Sequence, residues 1–153
     1  MLGRSSYDRD YVDVVRARMR SRVDAFDAVH GALVAGAEEA EGGPDDSEDV
    51  ARVLLAAEIA WFTDLVVVLD AAFVHRVRSK EGEDGDPLVE VRLLAESSLQ
   101  HDGVLVVRSP QRLPADSSVL GLSPGDPVAV TREAFVRLCD AFLDALEARY
   151  LED

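Results

Sequence analysis

The chain has little of what a disulfide framework or a nucleic-acid interface requires. Its 153 residues include a single cysteine, Cys139, so no internal disulfide can form. Acidic side chains outnumber basic ones by 30 to 16, and the formal net charge is −14. Because nucleic-acid binding depends on a positive surface that displaces counterions from phosphates, this charge argues against direct binding to nucleic acid.

The sequence also lacks an export signal and an uncharged membrane span. The first eight residues contain no apolar run and include acidic Asp8. The most apolar stretch, 53–74, is long enough to cross a bilayer, but it contains Glu58, Asp64 and Asp70. Because carboxylates at bilayer depth are costly, we expect a buried helix of a soluble, cytoplasmic protein with no membrane partner.

The overall composition is typical of one globular domain. Apolar residues make up 48% of the chain and charged residues 30%, which excludes a disordered or fibrous protein. A chain of this length buries enough surface to hold a core without disulfides or metals. We therefore predict a single domain spanning residues 1–153.

Two long helices are predicted in the first half of the chain. From Asp8 to about Ala40, apolar residues recur at steps of three and four, which is the period of an amphipathic helix. The stripe consists of Val12, Val15, Met19, Val23, Phe26, Val29 or His30, Leu33 and Ala37. Gly42-Gly43-Pro44 ends this helix, and Asp46 or Ser47 is a candidate cap for a second helix from about Glu48 to Arg78.

The second half predicts two shorter helices with a different segment between them. Asp86-Pro87 is a helix start, so the third helix spans Pro87 to about Gln100, with Leu99 on its inner face. Short β-branched runs separated by prolines predict two or three strands within about 103–130. Thr131 caps a last helix from Arg132 to about Leu151. The predicted fold class is mainly α: a four-helix, bundle-like domain with two long helices, two shorter ones and a small β insertion.

The sequence contains few candidate catalytic residues. Glu58, Asp64 and Asp70 point about 120° apart on one helix, so they cannot bind one metal ion together. Cys139 lies on an apolar stripe, where a buried, unreactive thiol is the usual case. We predict no catalytic residue, no cofactor and no metal site. A magnesium-dependent nucleotide hydrolase remains an alternative, based on clustered acids on the first two helices: Glu38, Glu39, Glu41, Glu58 and Asp64.

One polar segment is a candidate binding site. It contains His75, Arg76 and Arg78 at the end of the second helix, and Glu90 and Arg92 at the start of the third. These side chains suit a small polar pocket or a partner contact. The alternative is an ordinary junction, because basic residues favour helix C-termini and Asp-Pro favours helix starts.

The same segment resembles one found in uncharacterised proteins, mostly from actinobacteria. The shared features are a His-Arg-x-Arg helix end, a Pro-Leu-x-Glu-Val-Arg helix start and a later Leu-x-Pro-Gly-Asp turn, covering residues 73–138. This chain has Asp86 where the pattern has Asn. The resemblance implies no known activity, but it marks His75, Arg76, Arg78, Glu90 and Arg92 as residues that matter.

The second helix points to a function through protein contacts. It is apolar on nearly all sides between Val53 and Val74, as in the central helix of a bundle or of a dimer interface. Trp61, Phe62 and Phe73 are its large side chains and the predicted interface residues. We therefore expect a non-catalytic protein that contacts a protein partner or itself, as a homodimer. A further alternative is an acidic mimic of nucleic acid, suggested by the net charge.

Overall fold

Within the part of the chain that the structure describes, four α-helices pack on one another. The computed structural model describes residues 3–39 and 44–152. The helices are α1 (Arg9–Glu39), α2 (Pro44–Ala72), α3 (Pro87–Gln100) and α4 (Arg132–Tyr150), with a single 3-10 turn at Arg78–Lys80. The mainly α, bundle-like fold with two long and two shorter helices is confirmed. None of these described helices is both long and apolar enough to span a bilayer.

The helices run alternately up and down. The start of α1 lies beside the end of α2, where the Tyr11 hydroxyl donates to the Ala72 carbonyl at 2.6 Å. Asp27 of α1 pairs with Arg132 at the start of α4, so these two helices are antiparallel. α1 and α3 each pack on both α2 and α4, which also contact each other.

The core is a continuous apolar cluster inside this arrangement. The first half of the predicted α1 stripe is buried. The apolar stripe of α4 is buried over its whole length: Phe135, Leu138, Cys139, Phe142, Leu146 and Tyr150. Leu99 of α3 is an exception, because it is 69% exposed rather than on the inner face. The largest fully buried side chains are Met19, Phe62, Leu69, Phe73, Leu88, Leu94, Leu105, Phe135, Leu138, Phe142, Leu143 and Tyr150.

α3 and α4 begin at the capping residues predicted from the sequence. The Asp86 carboxylate accepts from the Leu88 amide at 2.9 Å, and the Thr131 hydroxyl accepts from the Ala134 amide at 3.3 Å. α2 differs, because it begins at Pro44 and the expected caps Asp46 and Ser47 therefore lie inside it. Proline suits a first helical position because its missing N–H has no helical acceptor there. The Gly42-Gly43 break lies outside the described residues.

α2 also ends earlier than predicted, at Ala72 rather than Arg78. The extended segment at the beginning of the chain lies beside residues 75–77 and exchanges backbone hydrogen bonds with them. The Arg4 amide donates to the His75 carbonyl, and the Val77 amide donates to the Arg4 carbonyl. This pairing requires extended backbone, so the helix cannot continue through it.

The predicted β insertion is not confirmed. Residues 103–130 are all described, and they form a loop with one isolated antiparallel bridge between Val104 and Pro127 rather than strands. Most backbone hydrogen bonds of this loop stay within it, as where the Leu105 amide donates to the Asp126 carbonyl, and three further amides donate to side chains of α3. Ser97 accepts from the Val106 amide, and Glu90 accepts from the amides of Val119 and Leu120. Four prolines in the segment also remove amide donors that a strand ladder would need.

Candidate functional site

The predicted polar segment contains a buried ion-pair cluster. Arg76 is 5% exposed, and its guanidinium donates to Asp70 and Glu81 at 3.0 Å each. It also donates to the carbonyls of Phe73 and Leu88. The second oxygen of Glu81 accepts from Arg92 at 2.9 Å. The cluster therefore joins the end of α2 to the start of α3, and its buried charges are paired.

The five predicted site residues do not all come together. Arg76, Arg78 and Arg92 line one open cavity of about 430 Å³ between α2 and α3. His75 is exposed and lines a different, smaller cavity with Arg4 and Tyr11. The structure thus groups three of the five residues around one cavity.

Glu90 faces away from that cavity and holds the long loop. Its side chain has no exposed surface, and its two oxygens accept from the Val119 and Leu120 amides at 2.7 and 2.9 Å. Burial raises the pKa of this carboxyl, and the two backbone hydrogen bonds oppose part of that rise. Glu90 is therefore a loop anchor in this structure.

Two side chains with catalytic chemistry, Cys139 and Asp27, are buried or bound by another residue. Cys139 is buried, and burial raises its pKa to about 12, so the reactive thiolate is scarce at neutral pH. Asp27 is bound through both oxygens by Arg132, which lowers the pKa of the carboxyl. Among the described residues, no three His, Cys, Asp or Glu side chains are grouped as a metal site would require.

A second candidate site is apolar and lies where the two long helices extend beyond the bundle. α4 runs beside α1 from Tyr150, next to Tyr7, to Arg132, which pairs with Asp27. The part of α1 that follows Asp27 continues for about 18 Å with no α4 beside it. We call residues 28–39 of α1 and 48–59 of α2 the arm.

The arm exposes large apolar side chains. The exposed fractions are 61% for Val29, 52% for Leu33, 63% for Val53 and 51% for Leu55. An almost wholly apolar groove of about 500 Å³ runs between its two helices and is lined by Ala32, Leu33, Gly36, Ala37, Asp49, Val50, Val53 and Leu54. The second half of α2 buries the face of Phe62, Val66 and Leu69, but Val68 is 43% exposed, so neither half of α2 is covered on all sides. An exposed apolar surface of this kind marks an interaction site.

The predicted interface residues separate into two groups. Phe62 and Phe73 are fully buried within the single chain, where Phe62 packs on Phe26 and Phe135 and Phe73 packs on Tyr7. A side chain with no exposed surface cannot contact a second molecule, so these two residues belong to the core. Trp61 is 38% exposed at the base of the arm and stays an interface candidate.

The lengths of the predicted helices indicate the arm, whereas the apolar periodicity of α1 alone does not. The apolar stripe of α1 extends from Val12 to Ala37, over most of a helix of 31 residues, whereas α4 has 19 residues. Comparing the two helix lengths shows that the last turns of the stripe lack a partner in α4.

Comparisons with protein-family models, with curated proteins and with solved structures give no match. The resemblance of residues 73–138 to a bacterial family accordingly stays an expectation.

Proposed function

We propose that this chain is a non-catalytic cytoplasmic protein that acts through protein–protein contacts, that it forms a homodimer, and that the arm is its contact surface. The observation that carries the proposal is the uncovered arm, in which both helices present apolar side chains to solvent.

Leaving those apolar side chains in water is unfavourable. Full burial of an exposed valine or leucine side chain contributes about 1.5 to 3 kcal/mol, so covering a half-exposed one contributes about half as much. Val29, Leu33, Val53 and Leu55 are each more than half exposed in the single chain. Since domain stability is only about 5 to 15 kcal/mol, covering these side chains is a large effect for a protein of this size.

Charge favours a protein partner over a lipid or nucleic-acid surface. The described end of the arm contains Glu38, Glu39, Glu48 and Asp49, and its one nearby cation, Arg52, pairs with Asp49. Anionic lipid surfaces and phosphate backbones attract basic segments and repel acidic ones.

The test is the mass in solution of two matched variants. Val53→Asp places a charge in the exposed apolar surface of the arm, and Val14→Asp does the same at a 55% exposed position of α1 outside the arm. We expect sedimentation equilibrium to give twice the chain mass for the wild type and for Val14→Asp, and the mass of one chain for Val53→Asp.

Both variants should keep the thermal stability of a folded single chain, because neither side chain is buried in it. A wild type that sediments as one chain at every concentration up to the millimolar range would contradict the proposed homodimer. Equal masses for Val53→Asp and the wild type would show that the arm is not the contact surface.

A further inference from the structure

The open cavity between α2 and α3 combines charges of both signs with an apolar wall. Its volume of about 430 Å³ is within the range of small-molecule sites, about 300 to 1,000 Å³. α3 returns antiparallel to α2, because the Arg76 guanidinium just after the end of α2 donates to the Leu88 carbonyl at the start of α3. The cavity therefore runs along both helices, from the junction at Arg76 to Val67 on α2 and Gln100 on α3.

Ion pairs within the protein fix the floor of this cavity at the junction. Arg76 binds Asp70 and one oxygen of Glu81, and Arg92 binds the other oxygen of Glu81. The side chains of Arg76 and Glu81 are only 2% and 4% exposed. Because these groups already hold one another, the floor is preorganised and its charges are satisfied without a ligand.

Two further charges on the cavity wall take no part in the ion pairs of the floor. Arg78 is exposed on the turn after α2, and Glu96 is partly exposed on α3, one helical turn beyond Arg92. Among the described residues, the ion pairs at this cavity are those of its floor. One guanidinium and one carboxylate are therefore left for a ligand.

The balance of charge favours a ligand that carries both signs. Charged side chains of each sign line the cavity in equal number: Arg76, Arg78, Arg92, Asp70, Glu81 and Glu96. A simple anion bound at Arg78 would lie near Glu96 without a partner for that carboxylate, and a simple cation at Glu96 would leave Arg78 unpaired. A small zwitterion forms a charge-assisted hydrogen bond with each of them.

The rest of the wall suits an apolar ligand side chain. Ala71 of α2 and Ala95 of α3 leave room between the two helices. Val74 and Leu99 line the cavity although they are 58% and 69% exposed. A bound apolar group would cover part of this exposed surface, which is favourable because it removes apolar area from water.

We propose that the cavity between α2 and α3 binds a free α-amino acid with an apolar side chain. Arg78 binds its carboxylate, and Glu96 binds its ammonium group. The apolar side chain lies against Ala71, Val74 and Leu99. This site goes beyond the proposed homodimer and does not depend on it, because the cavity lies at the opposite end of α2 from the arm.

An amide NMR titration with three probes tests the class of ligand. At neutral pH, L-leucine carries both charges, L-leucinamide lacks the carboxylate, and N-acetyl-L-leucine lacks the ammonium group. We expect L-leucine to shift the amide resonances of residues 70–78 and 92–100, with a dissociation constant on the order of millimolar for so small a ligand. Each probe with a single charge should bind about tenfold more weakly, because it loses one charge-assisted hydrogen bond.

Two variants assign the charges to their residues. Arg78→Gln should weaken binding of L-leucine about tenfold and no longer distinguish it from L-leucinamide. Glu96→Gln should weaken it to the same extent and no longer distinguish it from N-acetyl-L-leucine. Arg108→Gln is the matched control, because Arg108 is exposed and lies outside the cavity, and it should bind L-leucine as the wild type does.

Several results would overturn the inference. One is the absence of saturable shifts with L-leucine at about 10 mM, well above the expected dissociation constant. Others are shifts confined to residues away from the cavity, or equal affinity of the wild type for all three probes. Tighter binding of N-acetyl-L-leucine than of L-leucine would show a plain carboxylate site and contradict the zwitterion.

The same titration separates this site from the proposed function. Val53→Asp changes the arm and leaves the cavity intact, so it should bind L-leucine with the affinity of the wild type. A wild type that sediments as one chain but binds L-leucine would contradict the homodimer alone. A dimer that does not bind L-leucine would contradict the cavity site alone.

Discussion

Glu90 shows how one carboxylate can organise a long loop. It is fully buried and accepts two backbone amides from residues 119 and 120. Glu90→Ala would leave both donors without an acceptor, and each unsatisfied buried donor costs about 1 to 3 kcal/mol. We expect the free energy of unfolding to fall by about 2 kcal/mol or more in urea titration. The control Glu96→Ala, on the partly exposed face of α3, should change it by less than about 0.5 kcal/mol.

The raised pKa of Glu90 also predicts a pH dependence. Above pH 4.5, the ordinary pKa for this carboxyl, the folded state keeps a proton that the unfolded chain has released. Stability due to this group is therefore lost as pH rises from 4.5 through the raised folded-state pKa. Compared with Glu90→Gln, which cannot ionise, the wild type should lose free energy of unfolding as pH rises over this range. A relative gain over the same range would contradict the assignment.

At the scale of elements, the sequence predicts the helices well and the connections between them poorly. The starts of α3 and α4 follow from caps that act within one helical turn, Asp86 and Thr131. The early end of α2 depends on Arg4, which is distant in sequence, and no local pattern reveals that contact. Residues 103–130 have strand-like composition, but turns, one isolated bridge and three hydrogen bonds to α3 side chains hold them in place of paired strands.

The candidate site was likewise only partly predictable from the sequence. The sequence predicts Arg76, Arg78 and Arg92 around one junction, and they do line one cavity. It also predicts His75 and Glu90 there, although His75 lies in the turn after α2 beside Arg4, and Glu90 binds the long loop. Composition identifies Trp61, Phe62 and Phe73 as the large side chains of this region. Contacts from α1, α4 and Tyr7 decide that two of them, Phe62 and Phe73, are core residues.

The junction between α2 and α3 gives a matched pair of variants. Arg76→Ala leaves Glu81 with one of its two ion pairs, and the Glu81 side chain is only 4% exposed. Removing one partner of a buried ion pair costs about 3 to 5 kcal/mol, so thermal unfolding should shift strongly downward. His75→Ala changes the adjacent exposed side chain and should leave stability within about 0.5 kcal/mol of the wild type. A similar loss in both would show that His75 is a structural residue.

The whole molecule is an elongated body with an arm, and its assembly should be visible in its dimensions. The 31 residues of α1 give one chain a length of about 46 Å. In the proposed homodimer, two copies joined through their arms with the bodies at opposite ends would extend to about 75 Å. Small-angle X-ray scattering should give this maximum dimension at high concentration and the shorter one for Val53→Asp. A dimer no longer than a single chain would mean that the bodies lie side by side.

The two ends of the described chain meet on the face farthest from the arm. Tyr7 and Leu151 form a bridge, and the Glu152 amide donates to the Tyr7 carbonyl. A fluorescent protein or affinity tag fused at either end therefore sits about 28 Å, the length of α4, from where the helices begin to project. We expect such fusions to leave the proposed association undisturbed, so labelled and immobilised copies could be used to follow its kinetics.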